Sequence, residues 1–158
     1  MRAITHLVVH HSATAGTTTK LSGIDNFHRT KNWGTAARPA YAKISRLGYY
    51  VQYHYFIDWR GVLTQTRGDD EIGWHANAAN SFSLGICLAG WFDPGHDRLP
   101  SPDETAMLKR WLARLAARYK IPPKNIIPHR IFNPRKTCYG SNLADNWARN
   151  LILNHRPR

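Results

Sequence analysis

Hydrophobic and polar positions along the chain alternate between a strand pattern and a helix pattern. Residues 4–9 form a short β-rich apolar run that stops at His10-His11-Ser12, which reads as a buried strand. Ser22-Gly23-Ile24-Asp25 has the look of a helix start. Ile24, Phe27 and Lys31 follow at helical spacing, and Gly34 after Trp33 supplies a stop. Residues 51–58 and 62–66 flank Trp59-Arg60-Gly61 and predict a hairpin. Residues 83–89 are almost continuously apolar, as in a central strand covered on both faces. The clearest helix follows, with Ser101 as N-cap, Pro102 at the first helical position and Glu104 completing a capping box. Its apolar stripe is Leu108, Trp111, Leu112, Leu115 and Tyr119, while Lys109, Arg110, Arg114 and Arg118 lie outside it. Pro122-Pro123 ends it. Ile126-Ile127 is a short strand leading to His129, and Leu143, Trp147 and Leu151 mark a last helix. Strands and helices alternate without repeat or linker, which predicts one α/β domain spanning residues 1–158.

Composition narrows the class. The 158 residues are 42% hydrophobic and 20% charged, which excludes a disordered or collagen-like chain. Uncharged apolar runs such as residues 84–88 are too short to span a bilayer. His6, His10 and His11 interrupt the N-terminal run, so no secretory signal peptide is expected. The formal net charge of +12 attracts polyanions, whether nucleic acid, anionic lipid, lipopolysaccharide or wall polymers. Charge alone does not choose among them. Cys87 lies in an apolar run and Cys138 in a polar loop, so a core thiol and a ligand thiol are expected ahead of a disulfide.

Chemistry concentrates at three positions. His10 stands where one apolar strand runs out, His129 where another does, and Cys138 nine residues beyond it on a loop. Imidazole and thiolate suit zinc, and three protein ligands leave a fourth position for water. On residue types alone, ordinary polar loop residues remain the alternative, because the spacing is not that of a compact metal-binding motif.

Further segments carry a resemblance. Val8-Val9-His10-His11-Ser12-Ala13-Thr14 resembles the first motif of the zinc-dependent N-acetylmuramoyl-L-alanine amidases of the type 2 family. That family includes the short phage lysozymes with amidase activity and the peptidoglycan recognition proteins. Phe27-His28 to Trp33-Gly34 resembles its first helix, and Tyr53-His54-Tyr55-Phe56-Ile57 with Gly61 its central hairpin. Gly73-Trp74-His75-Ala76 and the run through Gly90 resemble its next loop and strand. His129-Arg130 and Lys136-Thr137-Cys138 resemble its last ligand motifs. The matches run in order from about residue 4 to residue 150.

The resemblance implies a central mixed β-sheet flanked by α-helices and one zinc ion held by His10, His129 and Cys138. In the family the first His of such a pair binds the metal, which makes His11 the less favoured ligand, and a single choice fits a strand whose neighbours face opposite sides. Tyr53 and Lys136 are implied as catalytic residues, and His75 as a histidine on the substrate side of the cleft. His28 is expected to pack along its helix, and Cys87 in the core. The implied function is hydrolysis of the N-acetylmuramoyl–L-alanine bond in peptidoglycan by a phage endolysin. Such an enzyme is made in the host cytoplasm and acts at the wall after release, as a monomer and without a separate wall-binding module. Its basic surface would meet anionic envelope polymers. A cytosolic amidase recycling wall fragments and a non-catalytic peptidoglycan-recognition module are the alternatives. Specific nucleic-acid binding ranks last, because no reading motif accompanies the basic residues. One departure stands out: residues 35–50 form a basic, Tyr-rich loop, with Arg38, Lys43, Arg46, Tyr41, Tyr49 and Tyr50, longer than the short phage enzymes lead one to expect.

Overall fold

A computed structural model describes residues 2–31, 39 and 41–153. In chain order the elements are β1 (His6–His11), α1 (Leu21–Thr30), β2 (Tyr55–Ile57), β3 (Leu63–Gln65), β4 (Ser83–Leu88), α2 (Pro102–Tyr119), β5 (Ile126–Pro128) and α3 (Trp147–Leu153). The strands make one mixed sheet in the order β3-β2-β4-β1-β5. β1 pairs in parallel with β4 and β5, β2 pairs in parallel with β4, and only β3 runs antiparallel.

The period of two along β1 and β4 sorts the core. Leu7, Val9, Leu84, Ile86 and Leu88 face α2, whose Leu108, Leu112 and Leu115 close over them with Tyr55, Ile57 and Ala148. Burying each of these large side chains is worth about 1.5–3 kcal/mol, which makes this the heavier of the two faces. The opposite face is thinner. Cys87 and Phe56 meet Ile24 of α1 there, and Val8 meets Ala76 and Ala79. A groove is left between α1 and the ends of β1 and β5.

α2 begins as its sequence predicts, with the Ser101 hydroxyl accepting from the Glu104 backbone N–H at 3.0 Å. The reverse half of the capping box does not form well, because neither Glu104 carboxyl oxygen makes a well-aligned hydrogen bond. α1 differs from expectation. Ile24 and His28 face inward at a four-residue spacing, while Phe27 is 53% exposed with Lys31 Nζ 4.9 Å above its ring. The helix ends at Thr30, and the stop expected at Trp33-Gly34 lies outside the described residues.

The predicted hairpin is present but short. Before β2, His54 still pairs by backbone with Gly85 and Thr66, and side chains add to it: Thr66 Oγ1 donates to Tyr53 O at 2.8 Å, and Trp74 N–H donates to Gln52 Oε1 at 3.1 Å. In the basic loop, residues 35–38, Arg38 included, and residue 40 lie outside the described residues. The remainder is tied down. Ser45 Oγ donates to Thr66 O at 2.7 Å, and Arg67, 1% exposed, donates to Lys43 O at 2.7 Å and Val51 O at 3.2 Å. Arg46 pairs with Asp70 and Glu71, which removes part of that loop's positive charge.

A candidate metal centre at the end of the sheet

The groove has a volume of 1020 Å³, and His10, His129, Cys138, Tyr53, His75 and Lys136 all line it. Each ligand candidate arrives by a different route. His10 projects from the end of β1 on the face of Val8, while His11 turns to the other face and accepts the Phe92 N–H on Nδ1 at 3.2 Å. His129 follows β5, the parallel neighbour of β1. Cys138 comes from the loop after it, and the His11 backbone N–H donates to its sulfur at 3.3 Å. His11 therefore serves the site through its backbone.

The donor atoms of His10, His129 and Cys138 all lie within 4.8 Å of one another. Zinc bonds of about 2.1 Å to nitrogen and about 2.3 Å to sulfur, at a tetrahedral angle, set the N···S separation at about 3.6 Å. His10 Nδ1 and Cys138 Sγ are 3.6 Å apart. The donor set thus fits a tetrahedral metal in both chemistry and spacing.

The electrostatics agree with that fit. Burial holds His10 well below the ordinary imidazole value, with His129 and His75 adding to the effect. Burial, then Lys136, brings His129 down to about 4, so both rings present neutral nitrogen. Burial pushes the Cys138 thiol up to about 12, against the pull of the His11 N–H and Lys136. A divalent cation bound here would supply the countercharge that a buried thiolate needs, with Cys138 giving up its thiol proton.

Tyr53 lies just before β2, with its ring 4.9 Å from that of His10 and 5.4 Å from that of His28. Burial, with the neighbouring Cys87 and Cys138, raises its hydroxyl well above the ordinary phenol value. It stays a proton donor rather than a base. His28 does more than pack along α1, since its Nδ1 accepts the Gln52 N–H at 3.0 Å and so holds the backbone beside Tyr53. Cys87 is fully buried, as expected of a core thiol, and both cysteines are free. Its contact with the Tyr53 hydroxyl was not foreseen. Lys136 is exposed and close enough to His129 and Cys138 to influence both.

Sequence patterns missed the braces of the ligand loop. Arg130 donates to Asp145 at 2.6 Å, Thr137 O at 3.1 Å, Gly140 O at 2.9 Å and Leu143 O at 2.6 Å. Asp93 accepts from Trp91 Nε1, Thr137 Oγ1 and the N–H and hydroxyl of Ser141. Although burial opposes it, those bonds hold the Asp93 carboxyl at about 2. Gly140 has φ +112°, and a Cβ there would lie 2.5 Å from Phe92 atoms, so only glycine lets the loop pass. The sole sequence signal for these braces is that Arg130 adjoins the ligand candidate His129.

Comparison with known proteins gives a family and a fold. The family profile for N-acetylmuramoyl-L-alanine amidase matches residues 1–141. The endolysin of Klebsiella phage KP32 is 29% identical over 105 residues, covering 65% of this chain and 68% of that relative. Among solved structures, the Ph2119 endolysin from the Thermus scotoductus MAT2119 bacteriophage Ph2119 superposes with a TM-score of 0.71 at 20% identity, over 96% of this chain and 86% of its own. Drosophila peptidoglycan recognition protein SD gives a TM-score of 0.67 at 19% identity, over 99% of this chain and 83% of its own. At such identities the structural likeness establishes the fold.

Proposed function

The chain belongs to the N-acetylmuramoyl-L-alanine amidase family, and from that premise we propose that it is a zinc-dependent peptidoglycan amidase cleaving the bond between N-acetylmuramic acid and L-alanine. The observation that carries the reading is the His10–His129–Cys138 cluster in the groove. These three residues would hold one zinc ion. When bound, the metal supplies a Lewis acid and a water of lowered pKa.

The remaining chemistry belongs to side chains around it. Attack on the scissile amide builds negative charge on the carbonyl oxygen. Tyr53 can donate a hydrogen bond to that oxygen or to the attacking water, and Lys136 can meet the charge. Ile24 and Phe27 of α1, with Trp74 and Trp91, give the groove apolar walls, while Thr14, Thr18, Thr19 and Ser22 add hydroxyls along it. Apolar walls with a few polar groups suit an amphiphilic glycopeptide. His75, expected on the substrate side, also borders the groove, although it is only 7% exposed.

The phage relative supports a role as an endolysin, made in the host cytoplasm and reaching the wall on release. No helix among the described residues is long and apolar enough to cross a membrane. The positive charge would assist contact with anionic envelope polymers. Intact sacculi incubated with the protein, with and without a chelator, test the reading. New L-alanine amino termini that disappear with the chelator are the expected result. Binding to sacculi without release would establish a recognition module instead, and neither binding nor release would refute both readings.

A further inference from the structure

Behind His10, on the side away from Cys138, lies a run of buried polar groups that the proposed reaction does not use. His10 Nε2 is 3.0 Å from His75 Nδ1, His75 Nε2 is 3.4 Å from Ser83 Oγ, and Ser83 Oγ donates to Ala79 O at 2.8 Å. All three side chains are buried. The run ends on a carbonyl oxygen, which can only accept.

That end fixes every proton before it. The single Ser83 hydroxyl proton goes to Ala79 O, so toward His75 the hydroxyl presents lone pairs. His75 Nε2 must then carry the imidazole proton, which leaves His75 Nδ1 an acceptor. His10 Nε2 is therefore the donor of the 3.0 Å bond, and the one remaining lone pair of the ring is on His10 Nδ1, the atom that faces Cys138. The opposite assignment sets lone pair against lone pair between His75 and Ser83. It also puts a proton on His10 Nδ1, where a metal must bind. Both rings are buried, where the neutral imidazole is the favoured form. His54, packed edge-on against His75 with centroids 5.6 Å apart, does not disturb the order. Its Nδ1 is already engaged by the Gly85 N–H at 3.0 Å.

Three features seat the His75 ring. Asn80 Oδ1 accepts from the backbone N–H of His75 at 3.0 Å and of Ala76 at 2.7 Å. Gly85 of β4 leaves the space that the ring fills, since a Cβ there would lie 2.7 Å from His75 Nδ1. Ser83 and Gly85 alternate on one face of β4, so one strand supplies both the floor and the acceptor.

We infer that His75 is a positioning residue: with Ser83 and the Ala79 carbonyl it locks His10 in the tautomer that presents Nδ1 to the metal. The inference rests on the zinc reading of the site. It differs from a substrate-side role for His75, because the ring spends its hydrogen-bonding atoms on His10 and Ser83. Ligating histidines depend on such partners for ring orientation and basicity, and loss of the partner typically weakens metal binding about 10–100-fold.

Two measurements decide it. In the zinc-free wild-type protein, long-range ¹H–¹⁵N correlation of the histidine rings should show His10 protonated on Nε2; protonation on Nδ1 overturns the inference. Zinc affinity, measured by competition with a chromophoric chelator, should fall about 10–100-fold in His75→Leu. His75→Gln offers a carbonyl acceptor to His10 and should recover most of that loss. Unchanged affinity in His75→Leu overturns the inference, as does an equal loss in the Leu and Gln variants at matched melting temperature. A protein that binds zinc with the expected tautomer yet releases nothing from sacculi refutes the amidase reading alone. A wild type that binds no zinc refutes the metal reading, and the tautomer measurement still decides this one.

Discussion

Replacing Gly85 with alanine tests how tightly His10, the proposed metal ligand, is supported from behind. The added methyl would lie 2.7, 2.8 and 2.9 Å from Nδ1, Cγ and Cε1 of His75, whereas ordinary contact begins at 3.4 Å. The ring must therefore retreat by about 0.7 Å, in a region packed as densely as a crystal. The His75–Ser83 contact is already 3.4 Å and would not survive such a shift, and the 3.0 Å bond to His10 would approach the limit of a hydrogen bond. Overpacking of this kind costs about 1–3 kcal/mol, or roughly 2–4 °C of melting temperature per kcal/mol at this chain length. Zinc affinity should drop by about tenfold or more, as for a lost support of a ligating histidine. Gly23→Ala is the control, since nothing lies within 4 Å of its Cβ and a helical alanine gains up to about 1 kcal/mol. Thermal melting and chelator competition on the two variants give the answer. A Gly85→Ala protein with lowered melting temperature but wild-type zinc affinity would refute the link between the ring's seat and the metal.

Cys138→Ser should lose stoichiometric zinc and amidase activity, while Cys87→Ser should keep the metal and cost about 1–3 kcal/mol for a buried hydroxyl; metal analysis of both proteins checks the assignment. Tyr53→Phe and Lys136→Ala should each slow turnover by roughly a hundredfold or more with zinc retained, and the double variant should lose less than the product of the two. Turnover near wild type in either single variant removes that residue from the mechanism. Burial raises the Glu104 carboxyl to about 9 from 4.5, against the pull of the Ser101 and Ala89 backbone and with Asp58 and Asp97 adding to it. The folded state then holds a proton that the unfolded chain releases, so this group's stabilising contribution is complete below pH 4.5 and is lost as pH rises toward 9, by at most about 1.4 kcal/mol per pH unit. Glu104→Gln should flatten that decline in denaturant melts across the window, and an unchanged slope would show that Glu104 ionises freely in the fold.

Much of the fold was legible in the chain because burial leaves a period. The apolar run of residues 4–9 and the stripe of α2 are one-dimensional traces of which side faces the core, and Ser101-Pro102 marks a helix start through strictly local bonds. The ligand candidates were legible only in part: His10 and His129 follow strands and Cys138 lies on a loop, residue types that suit zinc, but it was the resemblance of the surrounding motifs that singled these three out. Local pattern failed where neighbours in space decide. Phe27 has helical spacing yet points to solvent, because Ile24 and His28 already fill the side that α1 turns to the sheet. The basic loop reads as free charge, but Arg46 is paired with Asp70 and Glu71 across 24 and 25 residues of chain. The contact between His10 and His75 joins residues 65 apart, and the brace from Asp93 to Thr137 joins residues 44 apart. Such contacts depend on which strands lie side by side. Periodicity reports whether a side chain is buried but not what it is buried against, so the ligand types belong to the sequence and their support to the β4-β1-β5 order of the sheet.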